Sequence, residues 1–128
     1  MKHLLILISI LLLSSPVIGN SHKGETLYLW ETSSGSLWKG FGDKDTQPKY
    51  QGQVKDGKPN GLGIIIYTDG SKYVGRWKNG IREGQGSQIH KGEGKYSGSW
   101  KNGSWWNGKQ IDPNGNITSM VVNGKIIK

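Results

Sequence analysis

The sequence predicts an all-β fold: an elongated single-layer antiparallel sheet of consecutive β-hairpins, following an N-terminal signal peptide. Three observations predict it. Tyr50, Tyr73 and Tyr96 stand 23 residues apart, and glycines and lysines keep the same step around them. An Asp-Gly or Asn-Gly pair follows each tyrosine at a fixed distance, which is the strongest short hairpin signal when strand-like alternation flanks it. Finally, 21 glycines and 6 Trp and 5 Tyr against a single Phe describe a thin sheet in which rings cover glycine backbone.

At the N-terminus, Lys2 and His3 precede an apolar run from Leu4 to Leu13, and Val17 and Gly19 offer small residues for cleavage. Residues 1–19 therefore read as a signal peptide. The run is shorter than the ~20 apolar residues of a membrane span, so no transmembrane helix is expected in the mature chain. Export to a periplasmic or extracellular, envelope-associated location follows; an uncleaved anchor is the alternative. Residues 20–48 form an N-terminal segment with a degenerate capping unit, in which Tyr28, Gly35, Gly40 and Gly42 echo the later spacing.

Residues 49–124 are the array, with units at about 49–71, 72–94 and 95–116, a degenerate unit at 117–124, and a tail at 125–128. In the second unit Tyr73, Gly75 and Trp77 alternate with Val74, Arg76 and Lys78, so rings and cations take opposite faces. Asn79-Gly80 turns the chain, as Asp56-Gly57 and Asn102-Gly103 do in the flanking units. The return strand begins with Gly61-Leu62-Gly63 or Gly84-Gln85-Gly86. Glycine is costly inside a strand unless a neighbouring ring lies on it. Gly52, Gly75 and Gly98 stand on the ring face beside Tyr50, Tyr73, Tyr96, Trp77 and Trp100. In the last unit Ile117 takes the tyrosine's place and Val121 that of Trp100.

These residues closely resemble MORN repeats. Lys49-Tyr50-Gln51-Gly52, Gly57-Lys58-Pro59-Asn60-Gly61-Leu62-Gly63 and Asp69-Gly70-Ser71-Lys72-Tyr73-Val74-Gly75-Arg76-Trp77-Lys78-Asn79-Gly80 follow the pattern Tyr-x-Gly-x-Trp-x-x-Gly-x-x-x-Gly-x-Gly. The resemblance covers residues 49–103 well and 104–124 poorly. It implies a twisted meander of hairpins that binds phospholipids or partner proteins and has no cofactor. Two departures stand out. Val54 replaces a Trp, and Ser104-Trp105-Trp106-Asn107-Gly108 inserts a residue where the third unit expects its Gly-x-Gly.

A net charge of +8 draws the chain to anionic partners. Lys72, Arg76, Lys78, Lys95 and Lys101, with Arg82 nearby, form rows suited to an anionic lipid or envelope polymer. Equivalent lysines lie two strands, hence roughly 10 Å, apart. The plainer reading is a solvated face on which lysine blocks aggregation. Trp105 and Trp106 can insert at an interface, or simply cap the last glycines. Export makes nucleic acid a poor candidate.

Catalysis finds little support. The chain lacks cysteine, so thiol chemistry, disulfides and zinc-thiolate sites are excluded. His90 sits at a repeat position, the pair Asp43 and Asp45 is too weak for a metal site, and no nucleophile or phosphate-loop motif is present. The expectation is a non-catalytic binding or scaffold module for a protein partner or an anionic surface. A small exported hydrolase with an unrecognised site, or a structural protein assembling edge to edge, are the alternatives.

Overall fold

The computed structural model describes residues 24–128; the signal peptide expected over residues 1–19 lies outside them. The strands are β1 (Glu25–Thr32), β2 (Gly35–Lys39), β3 (Lys49–Lys55), β4 (Lys58–Ile66), β5 (Lys72–Lys78), β6 (Ile81–His90), β7 (Gly94–Lys101), β8 (Ser104–Ile111), β9 (Ile117–Val122) and β10 (Lys125–Ile127). All join one open antiparallel sheet in the order β10-β9-β8-β7-β6-β5-β4-β3-β1-β2. From β3 onward it is the expected meander.

The four Asx-Gly pairs make the hairpin turns. Asp56, Asn79, Asn102 and Asn123 adopt φ of 48–53°, each followed by a glycine at 75–84°. Two successive left-handed residues match the twist of the flanking strands, and only Asn, Asp and Gly take that conformation at small cost. Each turn from the second onward is also tied to the preceding unit. The Gly80, Gly103 and Gly124 amides donate to the Pro59, Arg82 and Trp106 carbonyls at 2.8, 3.0 and 2.9 Å. Beside them, Asn60, Glu83 and Asn107 side chains accept from the Asn79, Asn102 and Asn123 amides. Turn sequence thus fixes both the hairpin and its docking on its neighbour.

Each repeat tyrosine organises a bulge. The ladder slips between Gly52 and Val54, between Gly75 and Trp77, and between Gly98 and Trp100. The hydroxyls of Tyr50, Tyr73 and Tyr96 donate to the carbonyls of Gln53, Arg76 and Ser99 at 2.6, 2.8 and 2.8 Å. Those carbonyls belong to the residues that the slip takes out of the ladder, so the phenol restores a partner that the bulge removes. The ring meanwhile lies on a return-strand glycine. A Cβ at Gly86 would fall 2.5 Å from Tyr73 Cε1, and one at Gly108 would fall 2.6 Å from the Tyr96 hydroxyl.

Gly108 accordingly holds the place of Gly63 and Gly86, one residue earlier in its unit. The third unit gains a residue at Trp105-Trp106 but has no counterpart of Gly84-Gln85. The degenerate unit is shifted as well. Ser119, not Ile117, lies opposite Gln110 as Tyr96 lies opposite Gln88, because the β8–β9 ladder slips at Gln110/Ile111. Ile117 is 57% exposed, whereas Ser119 and Val121 are buried. The expected tail is a strand, since Lys125–Ile127 pairs with Val122–Met120.

The rings form one column along a single face: Trp38, Tyr50, Trp77, Tyr73, Trp100, Tyr96 and Trp105. Successive centroids lie 4.6–6.0 Å apart, edge to face throughout except for the Tyr96–Trp105 stack. Edge-to-face packing sets each positive ring edge against a negative ring face. Leu27, Ile65 and Val121 complete this core.

The N-terminal hairpin departs from the expected capping unit. β1, rather than β2, pairs with β3, and Leu27 sits opposite Tyr50. Trp38 on β2 then meets Trp77 on β5, four strands away in the sheet, at 6.1 Å between centroids. In a flat sheet that separation would be roughly 19 Å. The sheet therefore curls, and the ring face is the inside of the curl.

Candidate functional site

Lys72, Arg76, Lys78, Lys95 and Lys101 all stand on the outer face, because each is an odd number of residues from its ring-face neighbour. The register shows what lies between them. Lys49, Ile66, Lys72, Ile89, Lys95 and Ile111 are directly opposite one another across β3 to β8, a row in which lysine and isoleucine alternate. The next row inward carries Ile64, Val74, Ser87, Ser97, Lys109 and Met120. Val74 and Ser87 are buried even though they face away from the rings.

The outer face is thus not simply basic, as alternation along β5 alone suggests. It is amphipathic. Lys49, Lys72 and Lys95 are half-buried beside the isoleucines, whereas Arg76, Lys78 and Lys101 are exposed. Lysine stems laid along apolar neighbours leave the ammonium groups at the surface. Those charges lack carboxylate partners: among the described residues the one ion pair is Lys44–Asp45, at 3.8 Å, in an exposed loop.

The structure separates the two tryptophans of β8. Trp105 belongs to the ring column, stacked on Tyr96 at 4.6 Å and 5°, with its Nε1 donating to Gln88 Oε1 at 3.1 Å. Trp106 turns the other way. The Lys101 ammonium sits 4.3 Å from its ring centre, and Gly124 lies against the ring's far edge.

Arg82 does not join the outer rows. Its guanidinium lies 5.5, 4.8 and 5.0 Å from the rings of Tyr67, Tyr73 and Trp100, and it donates to the Tyr67 hydroxyl. Register explains this. Arg82 faces Trp77 as Pro59 faces Val54 and Trp105 faces Trp100, so it occupies a ring-face position filled by an apolar residue in the other units. A planar, weakly hydrated cation suits that place. Reading the turn-adjacent position across units would have revealed it.

Burial pushes the hydroxyls of Tyr50, Tyr73 and Tyr96 above the ordinary phenol range, and Glu25 adds to the effect at Tyr50. At the opposite end of the strands, Asp69 and Asp112 are held low by hydrogen bonds from Ser71 and from the Asn116 amide. Both carboxylates are turn staples. His90 is exposed, and Asp43 accepts from the Asp45 amide at 2.9 Å in a local turn. Among the described residues no three His, Cys, Asp or Glu side chains gather as metal ligands, and no helix is long and apolar enough to cross a membrane.

The repeating unit of tyrosine, glycine, turn and return-strand glycine matches the MORN repeat family at residues 50–72 and 73–90. The chain carries MORN repeats. The matched stretches cover the first two units of the array, whereas the third unit, with its shorter β8, falls outside them. Such repeats suggest a binding or structural module rather than a catalyst. No curated protein matches the chain.

Proposed function

We propose that the chain is an exported, non-catalytic MORN-repeat module that binds an anionic envelope or membrane surface through its outer face. The observation that carries this reading is the alternating Lys49–Ile66–Lys72–Ile89–Lys95–Ile111 row. Equivalent ammonium groups lie roughly 10 Å apart, about one Debye length, so they repel weakly and can meet separate anionic groups. Isoleucines between them offer apolar contact at the depth where lysine stems lie. The ring face is filled by its own column and closed at one end by Trp38, so it offers little to a partner.

Sedimentation with phosphatidylglycerol vesicles tests the reading. Binding should weaken with salt, and should fall at least tenfold when Lys72, Arg76, Lys78, Lys95 and Lys101 are changed together to Gln. Undiminished binding by that variant would exclude the electrostatic reading. A second reading, edge-to-edge assembly, draws on Ile126 and Ile127, both more than half exposed on the open strand β10. Light scattering that shows a monomer at high concentration would remove it.

A further inference from the structure

The repeats are not equivalent on their outer face, and the difference lies at the bulge. Gln53 and Ser99, the bulge residues of the first and third units, each give a side-chain oxygen to the return strand. Gln53 Oε1 accepts from the Leu62 amide at 2.7 Å, and Ser99 Oγ accepts from the Asn107 amide at 3.1 Å. Arg76, at the same place in the second unit, carries no acceptor. Its stem lies along Gly84, with its Cδ 3.5 Å from where a glycine Cβ would stand.

Arg76 instead lines an open groove of about 460 Å³ with Lys55, Lys78, Asn60, Asn79 and Glu83. Two of the side-chain acceptor atoms there are engaged. Asn60 Oδ1 takes the Asn79 amide at 3.1 Å, which leaves the Asn60 Nδ2 group as a donor. Glu83 Oε1 takes the Asn102 amide at 2.9 Å. Three cations against one carboxylate leave two positive charges in excess. In the corresponding place one unit on, Ser99 replaces Arg76, so the array holds this arrangement once.

We infer that this groove is a discrete oxyanion site for a terminal phosphate monoester, gripped by the Arg76 guanidinium between Lys55 and Lys78. The inference rests on the reading of the outer face as an anion-binding surface. The dianion of a monoester balances the excess charge, and a guanidinium fork meets two of its oxygens at once. A phosphodiester offers a single charge and two esterified oxygens, and binds less well.

The test compares the chain with its Arg76→Gln variant, which installs the residue that the first unit uses at this position and so preserves the bulge. A matching amide spectrum establishes its fold. The probes are glycerol 3-phosphate in solution, and phosphatidylcholine vesicles carrying phosphatidic acid or, at matched surface charge, phosphatidylglycerol. The chain should prefer phosphatidic acid, and Arg76→Gln should weaken that binding about tenfold, the loss of one charge-assisted contact. Lys72→Gln with Lys95→Gln should weaken both vesicle types alike.

Equal binding by Arg76→Gln, or no preference for the monoester, overturns the groove. If vesicle binding then still depends on Lys72 and Lys95, the surface reading stands alone. If the chain ignores both vesicles yet binds glycerol 3-phosphate through Arg76, the groove stands, its ligand is soluble, and the surface reading falls. Arg76-dependent binding of phosphatidic acid without binding of glycerol 3-phosphate supports the groove and assigns it a lipid headgroup.

Discussion

Trp38 and Trp77 meet edge to face, at 6.1 Å and 90°, across four places in the strand order. The contact closes the inside of the curl and joins the N-terminal hairpin to the second MORN unit. Trp38 is half-buried, so removing its ring should cost less than the 3–5 kcal/mol typical of a fully buried Trp. We expect about 2 kcal/mol for Trp38→Ala in urea unfolding. A change below about 0.5 kcal/mol would show that the hairpin packs independently of the array.

Some glycines lie under a ring and others face open space. Gly86→Ala places a methyl group inside the Tyr73 ring and should destabilise the chain by about 3 kcal/mol or more. Gly40→Ala meets nothing within 4 Å and should stay within about 0.5 kcal/mol of the parent. Thermal melts of the pair provide the comparison. Similar values for both would mean that contact with the Tyr73 ring does not set the cost.

The buried phenols predict an alkaline limit. Tyr50, Tyr73 and Tyr96 have folded pKa values raised above the ordinary phenol value near 10. Such groups contribute stability that is complete below the unfolded pKa and is lost as pH rises toward the folded one. Stability should therefore hold to about pH 10 and then fall. The rise of tyrosinate absorbance for these three should coincide with loss of the strand signal in circular dichroism. Their ionisation at pH 10 with the sheet intact would refute the role given to their hydroxyls.

Arg82 offers a sharper test, because charge and packing make opposite forecasts. Its guanidinium spans Tyr67, Tyr73 and Trp100, so Arg82→Met keeps most of the volume but loses the cation and the bond to Tyr67. We expect a loss of about 1–2 kcal/mol by chemical denaturation, with vesicle binding unchanged. Weakened vesicle binding at full stability would place Arg82 in the outer surface after all.

The repeat made much of this legible. Tyr, Gly and Asn-Gly recur in phase, and each sets a local constraint: ring cover, close approach or a left-handed turn. What stayed hidden depends on contacts between units. The exchange of β1 and β2 at the sheet's end, and the curl that brings Trp38 to Trp77, leave no mark in a 23-residue period. Arg82 looks like one more surface cation because its ring neighbours come from the residue after β4, from β5 and from β7. The isoleucines of the outer row are visible in the sequence, but only strand register shows that Ile66 and Ile89 flank Lys72. Gly108 was obscured by a gain and a loss within one strand, which disguised the missing Gly84-Gln85 counterpart as an insertion.

The most direct test of an anion-binding outer face is lysine footprinting with an acetylating reagent, read by mass spectrometry, with and without phosphatidylglycerol vesicles. Lys72, Lys78, Lys95 and Lys101 should be protected several-fold, while Lys39 beside Trp30 and Lys44 in its exposed loop react as before. Uniform reactivity at all six, or protection confined to Lys39 and Lys44, would contradict the account.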